Sequence, residues 1–328
     1  MKFSNETLLD VGKSIVESIS SQIRELSEES PLGARIAKKK SGEDIIGGDL
    51  VQEATESIAR DFVDPSDIKN MLVADAWHVV EDFSDDKIKK LVLAGLTVGV
   101  KVFGDEKSRE GIFAIVDSID GSNNLREWIT PTPHIATAVA LGSLSNLNVN
   151  PGVGAIDVAV VSKVFSRDLY YAKKGEGAFF EGWGKLESSP EEHLENAIFG
   201  VDTDLMGSEY LTLEEKLSPA LSKVKCKRRL CSSILDFCKV ASGEYDAFLS
   251  LGGLMILSDI APSKLIVEEA GGVFDERVTS ADKSFKGDIL KRLIVGGETN
   301  LLKEAKFNIV ASGNKRIHRQ ITSELKSY

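Results

Sequence analysis

Apolar residues recur at helical spacing near the start of the chain: Leu8, Leu9, Val11, Ile15, Ile19, Ile23 and Leu26, with polar residues between them. The stripe predicts an amphipathic helix over residues 6–27, its apolar face turned to a core. Residues 30–48 are polar and broken by Pro31, Gly33, Gly42, Gly47 and Gly48, which suits a loop or an irregular hairpin. A second helix is predicted over 49–64, with Asp49 as its N-cap and Leu50, Val51, Ala54, Ile58, Ala59 and Phe62 on one face. Residues 71–74 suit a short strand and 88–96 a helix or a strand. Residues 98–103 alternate as a strand does, and deliver Gly104, Asp105 and Glu106 at its end. Phe113, Ala114, Ile115 and Val116 then run straight into Asp117, as a buried strand does when it ends at a polar edge.

Further strands are predicted over 135–141, 154–161 and 168–173, with Gly175 and Gly177 marking a hairpin into another. The remaining pattern predicts a strand over 197–201 and helices over 213–224, 232–242 and 258–272. The last of these has Asp259 at its start, Pro262 in its first turn and Gly271-Gly272 at its end. Late strands are expected over 293–297 and 307–311, and a closing helix over 314–325. Strands and helices intermix without strict alternation, which predicts an α+β fold: a layered α/β sandwich, helix layers alternating with mixed or antiparallel sheets. The shift to polar and acidic residues from Ser188 suggests an N-terminal lobe over 1–187 and a C-terminal lobe over 188–328, the second carrying Asp259 and substrate contacts.

Composition narrows the partners. A chain of 328 residues with a net charge of −11 does not favour nucleic acid or an anionic membrane surface. It leaves a small anionic substrate open, since bound divalent cations invert the local sign. Cys226, Cys231 and Cys238 are an odd set without histidines at zinc spacing, consistent with reduced thiols. The start of the chain lacks a signal-like apolar run, so a cytoplasmic location is expected.

Candidate chemistry concentrates in acids at predicted element ends. Asp117 and Asp120, three apart across a turn, can face one point together with the carbonyl of Ile119. Uncompensated carboxylates at a buried strand end are costly, and a hard cation compensates them. Asp259 at a helix start can close such a site, and Asp105 lies at another strand end. Gly121, Ser122 and Asn123 at the following helix start can offer N–H groups to a phosphate. Arg228 and Arg229 can reach a second phosphate or a ring hydroxyl. The histidines, His78, His134, His193 and His318, form no ligand-like cluster in the sequence.

The run Asp117-Ser118-Ile119-Asp120-Gly121-Ser122-Asn123-Asn124 resembles the Asp-Pro-Ile-Asp-Gly-Thr-x-Asn signature of the inositol monophosphatase family, the lithium-sensitive, magnesium-dependent phosphatases. Gly104-Asp105-Glu106 resembles that family's Gly-Glu-Glu. Ser258-Asp259-Ile260-Ala261, with Glu268-Glu269-Ala270-Gly271-Gly272 after it, resembles its Trp-Asp-x-Ala…Glu-Ala-Gly-Gly segment. The resemblance implies a site holding two or three Mg²⁺ on Asp105, Asp117, the Ile119 carbonyl, Asp120 and Asp259, with Asp117 bridging. It implies catalytic positions at Ser122, Thr55 and Glu106, and a metal-activated water that attacks phosphorus in line. Six residues beyond Asp49, where an acidic helper is expected, stands Thr55, with Glu56 beside it.

The same resemblance places the segment holding Arg228, Arg229, Ser232 and Ser233 against the substrate, with Cys231 on a family glycine, and it joins Gly121, Ser122 and Asn123 as the candidate substrate and phosphate contacts. Ser250 falls near a position where some members carry a hydroxyl-binding acid. The implied activity is hydrolysis of an inositol or sugar phosphate, inositol monophosphate or fructose 1,6-bisphosphate, by a homodimer. The alternatives are a 3′-phosphoadenosine 5′-phosphate phosphatase, and a binding or regulatory member of the fold with weakened catalysis.

Overall fold

The computed structural model describes residues 4–29, 37–38, 44–45, 70–75, 100–104, 111–121, 124, 134–205, 207–279, 288–296, 298 and 301–325. The elements run α1 (Asn5–Glu29), β1 (Ala37–Lys38), β2 (Asp44–Ile45), β3 (Asn70–Asp75), β4 (Val100–Gly104), β5 (Ile112–Asp120), β6 (Ala136–Ser143) and α2 (Leu144–Val149). β7 (Val158–Lys163), β8 (Leu169–Lys173), β9 (Gly177–Phe180), β10 (Gly184–Lys185), β11 (Ile198–Asp202), α3 (Gly207–Leu221), β12 (Cys226–Arg228) and α4 (Ser233–Ala241) follow. The chain continues through β13 (Ala247–Met255), α5 (Leu257–Glu269), β14 (Val273–Val278), α6 (Ile289–Ile294), α7 (Leu301–Glu304), β15 (Phe307–Ser312) and α8 (Lys315–Glu324).

Two sheets organise these elements beyond the small β1–β2 pair. The larger has the order β10-β9-β8-β7-β6-β5-β3-β4, and the smaller β12-β11-β13-β15-β14. The larger is antiparallel except where β3 runs parallel to β5. In the smaller, β11 is parallel to both β12 and β13, while β15 is antiparallel to β13 and β14.

The period of two along each strand decides which layer each side chain joins. In β5, Ile112, Ala114 and Val116 face α1, packing with Leu8, Val11, Ile15 and Ile19. Phe113 and Ile115 face the opposite way, into a core shared with α4, α5 and the inner face of the smaller sheet. The outer face of that sheet, through Phe199, Val201, Leu249 and Val310, is covered by Leu213 and Leu217 of α3 and by Ile317 and Ile321 of α8. The result is helix, sheet, helix pair, sheet, helix: the layered α+β class that the sequence predicts.

The two sheets fall on either side of residue 188, yet one continuous apolar cluster joins them through α4 and α5. Phe237 of α4 sits at its centre, edge-on to Phe248 at 4.7 Å and 5.1 Å from Phe274.

Three expectations change. Of residues 293–297, expected as a strand, Leu293 and Ile294 close α6 and Val295 and Gly296 turn out of it; Ile289, Leu290, Leu293 and Ile294 are buried at helical spacing. A short apolar run fits both periods, and packing decides between them. Pro262 is the sixth residue of α5 rather than part of its first turn, because the helix begins at Leu257. The helix expected over 213–224 starts earlier, at Gly207, and ends at Leu221. The helix expected over 49–64 lies outside the described residues.

Phe237→Ala removes a fully buried ring that packs on Phe248 and Phe274 of the smaller sheet within the shared core. Chemical denaturation is expected to show a loss of about 3–5 kcal/mol; a loss under about 1 kcal/mol would place the shared core elsewhere.

Candidate metal and phosphate site

Asp117 and Asp120 leave the end of β5 at an irregularity in its pairing with β6. The extra residue of a bulge re-aims side chains that would otherwise alternate across the sheet. Asp117 Oδ1 accepts from the Ile119 N–H at 3.2 Å, which shapes the turn, and Thr137 Oγ1 pins the Ser118 carbonyl at 2.9 Å. The Ile119 side chain packs toward the α1 layer.

Asp259 comes from far along the chain, in the first turn of α5, where the helix dipole favours an anion. Its carboxylate accepts from the Ile256 N–H at 2.8 Å and hydrogen-bonds with Asp117. One oxygen from each of Asp117, Asp120 and Asp259 lies within 4.8 Å of the others, and all three residues are partly buried.

The Asp120 carboxylate is held by a turn from the C-terminal half. Ser232 Oγ and the Ile234 N–H donate to its Oδ2 at 2.5 and 3.0 Å, and the Ser233 N–H donates as well. Asn124 Nδ2 ties the same regions together, donating to the carbonyls of His134 (2.9 Å), Leu230 (2.9 Å) and Cys231 (3.3 Å). Gly121 adopts φ +82°, and a Cβ there would stand 2.4 Å from the His134 carbonyl oxygen, so only glycine lets these segments approach. Cys231 has φ 56°, a left-handed conformation that glycine adopts more readily than a residue with a Cβ.

Burial pushes the Asp120 and Asp259 carboxyls upward, and the Asp259 charge adds to the rise at Asp120. Two more acids, neither singled out from sequence, stand in the same field. Burial raises Asp202, at the end of β11, to about 6, opposed by the Ser250 hydroxyl and Arg229 and reinforced by Asp259. Burial raises Asp236 of α4 to about 8, with Asp120 and Asp202 adding to it. Asp236 is 2% exposed, accepts from the Leu230 N–H, and leaves Oδ1 without a hydrogen-bond partner among the described residues. One signal for Asp202 was available: an apolar strand ending in an acid, the pattern that drew attention to Asp117.

The other candidates lie in several different places. Asp105, Glu106, Thr55, Glu56, Ser122 and Asn123 lie outside the described residues, as does His78. Ser232 and Ser233 adjoin the cluster but direct the Ser232 hydroxyl and the Ser233 N–H at Asp120. Arg228 is exposed on β12, its guanidinium turned back to Cys226 Sγ and the Lys227 carbonyl, whereas Arg229 pairs with Asp204 beside Asp202. His134 contributes its carbonyl to Asn124, His193 is exposed, and His318 Nδ1 bonds Ser312 Oγ at 2.9 Å. Ser250, where the sequence lacks an acid, hydrogen-bonds Asp202 Oδ2 at 3.3 Å across the parallel register.

An all-carboxylate donor set fits a hard divalent cation, which takes oxygen ligands and offsets converging negative charge. The profile of the inositol monophosphatase family matches residues 36–326. A fructose-1,6-bisphosphatase/inositol-1-monophosphatase of Methanothermobacter thermautotrophicus is 32% identical over 232 residues, covering 70% of this chain and 73% of that protein. A bifunctional NADP phosphatase/NAD kinase of Methanococcus maripaludis is 30% identical over 209 residues, but this chain spans only 34% of it. Among solved structures, the extragenic suppressor protein suhB of Bartonella henselae superposes with a TM-score of 0.63 at 21% identity, over 98% of each chain, and so shares the fold.

Asp120, Asp202 and Asp236 all have folded values raised above the ordinary carboxylate value. Their protonated forms therefore favour the folded state, and the stability they contribute is full below the ordinary value of 3.8 and lost progressively as pH rises from there through folded values of about 6, 7 and 8. Without divalent cations the melting temperature is expected to fall between pH 6 and pH 8. Magnesium is expected to raise it more at pH 8 than at pH 6, since the ion binds the deprotonated cluster. Scanning calorimetry with and without chelator reads both effects; a metal-free melting temperature that climbs over this range would contradict the picture.

Proposed function

The chain belongs to the inositol monophosphatase family and is a phosphoric monoester hydrolase, and we propose that it hydrolyses small polyol or sugar phosphates with magnesium as cofactor. The carrying observation is the meeting of Asp117, Asp120 and Asp259, from two distant segments, within 4.8 Å. Those carboxylates would hold the cation, with Asp105 and the Ile119 carbonyl completing its ligands. When bound, magnesium supplies Lewis-acid charge for the phosphoryl group and the leaving oxygen and acidifies the attacking water.

The chain's own groups do the rest. Ser232 and the Ser233 and Ile234 N–H groups hold Asp120 in one orientation beside Asp117 and Asp259. The Ile256 N–H does the same for Asp259. Such preorganisation matters because rate follows how well donors are placed before reaction. Ser122, with Thr55 or Glu56 and with Glu106, would orient the water, and Gly121 and Asn123 would offer backbone donors to the phosphate. Water attacks phosphorus in line, the ester P–O bond breaks, and the alcohol leaves with a proton.

Inositol monophosphate and fructose 1,6-bisphosphate are the leading substrates, supported by the name of the Methanothermobacter relative. A nucleotide phosphate, NADP or 3′-phosphoadenosine 5′-phosphate, is a second reading, favoured by the NADP phosphatase relative. The enzyme is proposed to act as a cytoplasmic homodimer.

Phosphate release from this panel is expected with magnesium and not with chelator. Asp117→Asn is expected to lower kcat on the order of 10³-fold while the circular dichroism spectrum is unchanged. A wild-type protein that releases phosphate from none of these esters would refute the proposal.

A further inference from the structure

The parallel strands β11, β12 and β13 all point their carboxyl ends at the metal cluster, the end of an open sheet where ligands are bound. Asp202 ends β11, Arg229 follows β12, and α5 with Asp259 follows β13. The antiparallel β15 starts at this same end, because Phe307 pairs with Met255. The residue just before it is Lys306.

Lys306 is held there by its backbone. Its carbonyl accepts from the Thr279 N–H at 2.8 Å and from Thr279 Oγ1 at 3.2 Å. Its stem lies against the irregularity in β13: a Cβ added to Gly253 would stand 3.4 Å from Lys306 Cβ. Asn308 Oδ1 fixes that stretch by accepting from the Gly252 and Gly253 N–H groups at 2.8 and 3.0 Å.

The ammonium is half-buried, which lowers its pKa, and the Asp259 charge opposes that shift. Among the described residues Lys306 forms no ion pair, and Asp259 is the carboxylate whose field reaches it. Arg229, another cation at this end, already pairs with Asp204. Asp259 is also committed to the metal cluster. A half-buried ammonium in that position lacks a dedicated counter-anion, and an anionic substrate group would supply one.

We propose that Lys306 forms a second anion subsite beside the metal cluster, and that it favours phosphate esters carrying another phosphate group on the leaving alcohol. This inference rests on the phosphatase reading above and adds a substrate class to it. The scissile phosphate faces Asp117, Asp120 and Asp259, and the other phosphate reaches Lys306 across the Gly252-Gly253 backbone. A single-phosphate ester makes no use of the subsite.

Lys306→Gln tests it against fructose 1,6-bisphosphate and glycerol 2-phosphate. The expected result is a KM for the bisphosphate raised about tenfold or more, the size of one lost charge-assisted hydrogen bond. Its kcat, and kcat/KM for the single-phosphate ester, are expected to stay within about twofold. Lys306→Arg, which keeps the charge, is expected to restore most of the loss. A second readout needs no turnover: acylation of Lys306 by an amine-reactive ester, followed by mass spectrometry, should be slowed by fructose 1,6-bisphosphate and not by glycerol 2-phosphate. Equal losses on both esters, an unchanged KM for the bisphosphate, or absence of differential protection would overturn the subsite and leave the phosphatase reading standing. A wild-type protein that releases phosphate from neither of these nor any ester of the panel above would overturn both.

Discussion

Three carboxylates brought within 4.8 Å of one another repel, and the fold holds them together only by distributing that cost. Each acid has its own local donor: the Ile119 N–H for Asp117, the Ile256 N–H for Asp259, and the Ser232 hydroxyl with the Ser233 and Ile234 N–H groups for Asp120. What these donors leave uncompensated is relieved by a proton or a cation. Proton affinity therefore rises in the metal-free site, and the same surplus of negative charge makes it a receptor for a divalent ion.

The two halves of the chain meet at this cluster in a specific way. Asp120 and Asn124 come from the large-sheet half, and the turn that binds both comes from just before α4. Because α4 also carries Phe237 into the core between the sheets, the turn cannot shift without disturbing packing on both sides. Gly121 and Cys231, both with positive φ, are the backbone concessions that let these segments touch. Asp236 adds to the hold by taking the Leu230 N–H, at the cost of burying a second carboxylate oxygen unpaired.

Much of the layering is visible in the sequence because burial on both faces of a strand imposes a strict period. Residues 113–116 and 307–311 announce themselves by apolar runs, and the stripe of α1 by its spacing. The clustered acids Asp117, Asp120 and Asp259 are legible for a different reason: acids stand where apolar elements end. Residues 293–294 were ambiguous because so short a run satisfies either period until α6 meets its neighbours. Asp236, Asn124 and Lys306 could not be found by local pattern. Asp236 sits mid-helix among apolar residues, and Lys306 is one lysine among many until the register of β13 and β15 sets it beside the site. Their roles arise from contacts across long sequence separations, which spacing along one segment does not encode.

Charge balance links these unannounced residues to substrate choice. The chain carries a net charge of −11, so a phosphate ester approaching it meets repulsion until positive charge is concentrated locally. A bound cation meets that need for the scissile phosphate. It does nothing selective for the other groups of the ester, and the nearby Asp202, its carboxyl raised to about 6, favours a hydroxyl partner and repels an anion once it is ionised. Ser250 donates to one oxygen of Asp202, so the residue can receive a polyol from one direction. Lys306 lies on the other flank, beyond Asp259, with its charge unspent among the described residues. On the proposed reading, an acid flank and a basic flank around the carboxylate cluster would distinguish a sugar's hydroxyls from its second phosphate by position. A substrate bearing both would then be oriented by electrostatics before any step of hydrolysis begins.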